Sequence, residues 1–350
     1  MSPKTCYRIG AVLLLSGLFH LSMLITSGDT WTGPLSWRKP ATFGLSFGLT
    51  LITIVWVASY LPLSGRARRG WLGAFAVACA GEVALITVQA WRRVPSHFNM
   101  ETPLDTAIAR VLAAGGAVLI IVIAALTIAA FRRPAPVPGA SVPGLDRLAP
   151  VPGAGVPALD RVEPESWSEP EPESWSGAEG LVLTGVARSA VAPVAVAPSM
   201  RLAVRAGFLA LDSALLVGAV MIVIGVTDVV GGDQQAAYQV GAQWKPAHFV
   251  PMHGVLALPL LAWLLSRTGL AERARVRIVA LAAAGYGVLC VLAIGESIAA
   301  VDPLHAPLAA NAVALAAALA ILAAAAQTLA ALRHTPRVSV AVVGGGRSPG

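Results

Sequence analysis

The chain has 350 residues, 56% of them hydrophobic and only 12% charged, with a mean hydropathy of +0.73. A soluble domain carries about 25% charged residues, so this composition excludes an ordinary water-soluble fold. Lys plus Arg number 25 against 18 Asp plus Glu, for a net charge of +7. The excess is not clustered on one face with interleaved aromatics, so it belongs to membrane flanks and not to a nucleic-acid surface.

Behind Lys4 and Arg8 an apolar stretch runs to Thr26. It has the outline of a signal peptide but no Ala-x-Ala cleavage site, and is read as an uncleaved first span over 9–28. At roughly 20 apolar residues per crossing, seven more spans are expected over 42–62, 71–91, 106–131, 204–228, 248–266, 275–299 and 308–332. Residues 133–200 are rich in Pro, Ala, Gly and Glu. They carry small repeats, APVPGASVPGLDR followed by APVPGAGVPALDR and PESWS twice. Such a segment has too little to bury and is expected to be a disordered cytoplasmic linker; the tail 334–350 is read the same way. Within that tail, VAVVGGGRSPG has no helix after its glycines, which rules out a dinucleotide site. Cys6, Cys79 and Cys290 are scattered, with no CxxC, which argues against a disulfide framework or a zinc site.

The second half repeats the first. Trp37-Arg38-Lys39-Pro40-Ala41-Thr42-Phe43, closing at Gly48, matches Trp244-Lys245-Pro246-Ala247-His248-Phe249, closing at Gly254. At nearly the same offset Ala80-Gly81-Glu82 pairs with Ala284-Gly285-Tyr286, and Pro103-Leu104 with Pro307-Leu308. Four helices per repeat put both halves into the membrane in the same sense. The expected fold is an all-α integral membrane protein of eight transmembrane helices. Its two duplicated four-helix halves, 1–132 and 201–333, are related by a pseudo-twofold along the membrane normal. Fifteen Lys or Arg near span ends, from Lys4 and Arg8 through Arg66, Arg68 and Arg69 to Arg333 and Arg337, fall on one side. Five, Arg38, Lys39, Arg92, Arg93 and Lys245, fall on the other. The positive-inside rule then places both termini in the cytoplasm of a cell-membrane protein.

Ionisable groups within spans cost about 3 kcal/mol each on insertion scales, which singles out Glu82. Gln89, seven residues on, lies about 20° away on the same helical face, and that face leads to the loop holding Ser96, His97 and Asn99. Arg110 follows in the fourth span. A Glu82–Arg110 pair is either a structural ion pair or part of a binding or proton-transfer site. Thr102-Pro103 with Asp105 reads as a helix start. Trp37 with Lys39-Pro40, and Trp244 with Lys245-Pro246, read as aromatic belt, snorkelling Lys and helix-opening Pro; alternatively, the two lysines flank a mouth that attracts an anion. In the second repeat Tyr286 replaces Glu82 and Ala314 falls on Arg110, while His248, His253, Glu296, Asp302 and His305 appear. His248 and His253 are five residues apart, not the four that a shared metal prefers, and Asp212 stands alone in the fifth span.

The segments WRKPATFGLSFGLT and VQAWRRVPSHFNMETPLD resemble blocks of a family of bacterial multi-pass membrane proteins, over about half the chain. That resemblance implies a helical membrane fold and brings no activity with it. In architecture alone, two four-helix halves with a site toward the outer face, the chain resembles haem A synthases, but it lacks their Glu-x-x-His-Arg type signature. The leading expectation is a protein in the lipid bilayer that binds, with or without translocation, a small polar or anionic molecule from the extracytoplasmic side. Glu82, Gln89, His97, Asn99 and Arg110 line the expected pocket, and Lys39, Lys245, His253 and Glu296 stand behind them; no metal or cofactor is called for. The alternatives are a membrane enzyme on a lipophilic substrate, haem-dependent or using Glu82 and His97 as acid and base, and an assembly or sensory partner.

Overall fold

The computed structural model describes residues 1–31, 33, 35–132 and 196–334. The expected linker therefore lies outside the described residues up to 195, as does the tail from 335. Ten helices are described: α1 (Pro3–Ser27), α2 (Arg38–Val57), α3 (Gly65–Trp91), α4 (Pro103–Phe131), α5 (Pro198–Val230), α6 (Gln234–Gln239), α7 (Gly241–Met252), α8 (Gly254–Ser266), α9 (Glu272–Ile298) and α10 (Leu308–Arg333). Short 3-10 turns cover Ala58–Tyr60 and Pro303–His305, and no strand occurs among the described residues. Counting α6 to α8 as one broken segment, eight segments are long and apolar enough to cross a membrane, as in a multi-pass membrane protein.

The helices start where local chemistry satisfies their first amides. The Ser2 hydroxyl accepts from the Thr5 amide ahead of Pro3, Ser64 accepts from Ala67, and Thr102 accepts from Asp105 just behind Pro103. Several helices extend a few residues beyond the expected spans, because a hydropathy window stops at flanking charges while the backbone does not. The large difference is the sixth span, which begins at Gln234 and not near 248. Its first two turns, QQAAYQ, are polar, but Asp233 caps them by accepting from the Ala236 amide.

Neighbouring helices pack in chain order. α1 lies on α2, α2 on α3 and α3 on α4; in the second half α5 lies on α7 and α8, α7 on α9 and α9 on α10. The halves join where α4 meets α5 and α2 meets α8. One apolar core runs through that junction, including Leu51, Ile54, Val122, Phe208, Val255 and Leu265.

The closest backbone approach is between α1 and α2. A methyl group added at Gly17 would lie 2.5 Å from the Leu45 nitrogen, and one at Gly44 would lie 2.7 Å from the Gly17 Cα. At Gly48 it would lie 2.8 Å from the Gly10 carbonyl oxygen. Small residues permit such crossings in lipid, where packing and not the hydrophobic effect holds helices together. Gly44→Ala is expected to lower the thermal unfolding midpoint in detergent by the equivalent of about 1–3 kcal/mol. Gly81→Ala, where the added carbon meets nothing within 4 Å, should leave it unchanged; equal effects of the two would show that the crossing is not tight.

Candidate functional site

Polar groups gather at the end of the bundle where α3 passes into α4, here the His97 end. Glu82 lies mid-way along α3 with only 5% of its surface exposed. Its carboxylate occupies the space a side chain at Gly115 of α4 would need, with Oε1 2.6 Å from where a Cβ would stand. The cation acting on it through space is Lys39 of α2. The expected pairing with Arg110 is therefore corrected. Arg110 precedes Gly115 by five residues, about 140° around the helix, and is exposed on the outer surface of the bundle.

Lys39 is half-buried and also acts on His97. The His97 ring stands 5.8 Å from the Phe43 ring, and its Nδ1 is 3.0 Å from the Ser96 hydroxyl. Burial pushes its imidazole well below the ordinary value, and the Lys39 ammonium pushes it the same way. Next to it Asn99 is wholly buried. Its Oδ1 accepts from the Glu101 amide at 3.0 Å, while Nδ2 has no partner. Phe98 holds the loop in place with a positive φ of 60°. Its ring lies against Gly225 of α5, where a Cβ would come within 2.5 Å, and its carbonyl accepts from the Gln234 side chain.

Gln89 is wholly buried but serves a different set of partners. Its Nε2 donates to Asp105 Oδ1 at 2.8 Å, its Oε1 accepts from Arg92, and Arg92 in turn pairs with Asp105. Thr102 completes the group, donating to Asp105 Oδ2 at 2.6 Å. The helix start read at Thr102 and Asp105 is thus also a clasp between α3 and α4.

In the second half, Lys245 of α7 is exposed, and Arg38 acts through space on both Lys245 and Lys39. The two lysines of the similar sequence motifs thus both lie within the field of Arg38. Tyr286, at the position matching Glu82, donates its hydroxyl to the Val250 carbonyl. His253 is half-buried, with Nδ1 2.8 Å from the Phe249 carbonyl. Glu296 is half-buried near the end of α9 and makes no ion pair among the described residues. His248 meets the Ala214 carbonyl at 2.7 Å, Asp302 and His305 pair at an exposed site, and Asp212 faces Thr127 of α4. Among the described residues no group of three or more His, Cys, Asp or Glu stands where it could hold a metal ion.

A second cluster went unread in the sequence. His20 of α1, 3% exposed, holds the Ser16 carbonyl through Nδ1 at 2.7 Å and accepts the Trp91 indole N–H at 3.2 Å. Trp37 stacks on the imidazole, with Arg93 4.7 Å above the indole and Asp29 paired to Arg93 at 3.2 Å. Trp37 is 4% exposed, so it is an internal wedge and not a belt residue. The one available signal was a lone histidine within an apolar first span.

The sign of the His97 shift gives a pH prediction. A histidine whose folded-state affinity for protons lies below that of the unfolded chain contributes stability above about pH 6.5, lost as pH falls further. Between pH 7 and pH 5 the wild-type protein should lose stability relative to His97→Gln, by at most about 1.4 kcal/mol per pH unit. Parallel unfolding curves for the two proteins would contradict a half-buried, neutral His97. No family model, curated protein or solved structure matches the chain.

Proposed function

We propose that this chain is a membrane protein that binds a small anion from the extracytoplasmic side at the His97 end. The observation that supports the reading is that Arg38 at the start of α2 acts through space both on its neighbour Lys39 and on Lys245 of α7, so that cations from both halves lie within one another's field. Like charges held together repel, and an anion entering between them relieves that repulsion and gains their combined field. Glu82, buried beneath Lys39, is the internal carboxylate against which the incoming anion competes. A proton reaching Glu82 would release Lys39 to the ligand, which couples anion binding to proton uptake. Lys39 thus takes the part first given to Arg110, and Asn99 Nδ2, in the same loop as His97, is a buried donor without a partner.

The reading includes duplication and orientation. The order of helix neighbours is the same in both halves, and the repeated Trp-x-Lys-Pro-type starts bring their lysines to the same end, as a repeat about the membrane normal would. An exact twofold would also pack α10 on α1 as α4 packs on α5; the principal contacts of α10 are instead with α9 and α8. The relation is therefore one of repeated halves with an unequal junction. The excess of Lys and Arg on the opposite side supports cytoplasmic termini.

The test is thermal stabilisation of the purified protein by phosphate, sulfate, acetate and lactate at constant ionic strength. At least one should raise the midpoint of the wild-type protein. Lys39→Gln should weaken that binding tenfold or more, and the exposed Lys245→Gln a few-fold. Stabilisation by none, or an unchanged affinity in both variants, would remove the anion site.

A further inference from the structure

The loop between α3 and α4 has its two ends pinned together. Arg92, just behind the last turn of α3, pairs with Asp105 in the first turn of α4 at 2.5 Å, and Thr102 donates to the same carboxylate. Arg93, the left-handed residue that stops α3 at a φ of 57°, is held 4.7 Å from the Trp37 ring and 3.2 Å from Asp29. Residues 94–101 hang between these fixed points. Loops whose ends lie this close are compact units and frequently functional.

The inner side of this loop is pressed onto the bundle under strain. Ser96 is 3% exposed and Asn99 is wholly buried, although loop polar groups ordinarily face water. Asn99 Nδ2 has no hydrogen-bond partner, and Phe98 holds a φ of 60°, a conformation that a bulky side chain rarely adopts. Lifting the loop relieves both, since water then reaches the amide and the backbone relaxes. Two contacts hold it down. The Phe98 ring fills a notch at Gly225 of α5, where an added Cβ would lie 2.5 Å from Cζ, and 2.7 and 2.8 Å from Cε1 and Cε2. The Phe98 carbonyl accepts from the Gln234 side chain of α6. Strain on one side and a small set of contacts on the other is how a segment with a second state is built.

Against the inner side of the loop lies the start of α2. The His97 ring stands 5.8 Å from the Phe43 ring and 6.3 Å from the Phe98 ring, and Lys39 is one turn before Phe43 on the same face of α2. We propose that residues 94–101 form a lid over the cationic start of α2, latched by the Phe98 ring in the Gly225 notch and opened by withdrawal of that ring. The notch suits this motion. The atoms crowding Gly225 are the far end of a side chain, which can swing, whereas those crowding Gly17 and Gly44 at the α1–α2 crossing include backbone. Because the latch joins the first half to α5 and α6, its release uncovers Lys39 and frees the loop from the second half in one movement. The lid regulates the anion site proposed above and in that respect rests on it, while the latch is defined by contacts that involve no anion.

The test is peptide-resolved labelling of the full chain in lipid nanodiscs with a charged methanethiosulfonate, which reports how often a buried position opens. Ser96→Cys probes the inner side of the loop, and Glu101→Cys, at an exposed position of the same loop, gives the reference rate. Ser96→Cys should react at least about tenfold more slowly than Glu101→Cys. Adding Gly225→Ala, whose methyl takes the place of the ring, should raise the Ser96→Cys rate about tenfold or more and leave Glu101→Cys unchanged. Reaction of Lys39 with a charged N-hydroxysuccinimide ester should rise in the same Gly225→Ala protein. Equal Ser96→Cys rates with and without Gly225→Ala overturn the latch, and a Lys39 that reacts identically in both overturns the cover over α2. If Gly225→Ala does not fold, Gln234→Ala, which removes only the grip on the Phe98 carbonyl, should raise the Ser96→Cys rate several-fold, and an unchanged rate overturns the latch. No anion is varied in these measurements, so the lid and the anion site stand or fall separately.

Discussion

Within hydrocarbon a carbonyl or a carboxylate has no water to turn to, so each must be answered by another part of the same chain. On the membrane reading proposed above, that requirement accounts for several otherwise unrelated features. Glu82 is tolerated because α4 offers glycine at the point of contact and α2 offers Lys39. The interruption of the sixth span is tolerated because His253 and Tyr286 cover carbonyls near it. Gln89 and Arg92 are deep or half-exposed because Asp105 needs them. Glu82, Tyr286 and Asp105 find partners on a neighbouring helix, and His253 finds its partner one turn back in its own segment.

This explains which features the sequence made legible. Spans are one-dimensional quantities, and the eight apolar segments could be read from the residues alone, most of them to within a few positions. Helix starts with Ser, Thr and Pro were equally local. Only the sixth start was hidden, because a capped polar turn such as Asp233 to Gln239 carries no apolar signal. The partner of Glu82 was a different kind of question. Spacing placed Gln89 and Glu82 on one face of α3, but the rotation of α4 about its own axis is set by contacts on its whole circumference. Arg110, the obvious countercharge by depth, turned outward, and Gly115, with no side chain to draw attention, took the contact. The His20–Trp37–Trp91 cluster was illegible for the same reason: it joins three helices through residues with unremarkable local roles.

Glu82 of α3 and Tyr286 of α9, which pair in the proposed repeat, answer the same constraint differently. On α3 Glu82 brings a charge that must be balanced from a neighbouring helix. On α9 Tyr286 brings a neutral hydroxyl that covers a broken one. A carboxylate there calls for a countercharge, whereas the Tyr286 hydroxyl adds a second donor to the Val250 carbonyl, which also accepts the His253 amide at 3.4 Å.

The halves are tied together at the level where these properties meet. The Phe98 ring lies on Gly225 of α5, and the Gln234 side chain grips the Phe98 carbonyl, so the loop carrying His97 and Asn99 is docked onto the second half. On the other flank α2 carries Lys39 at its start, and deeper down its Thr50 and Thr53 line a cavity with His253. A ligand that draws Lys39 away from Glu82 acts on the helix that also lines the broken span. The docked loop at Gly225 and the contact of α2 with α8 thus add to the packing of α4 on α5 where the halves meet.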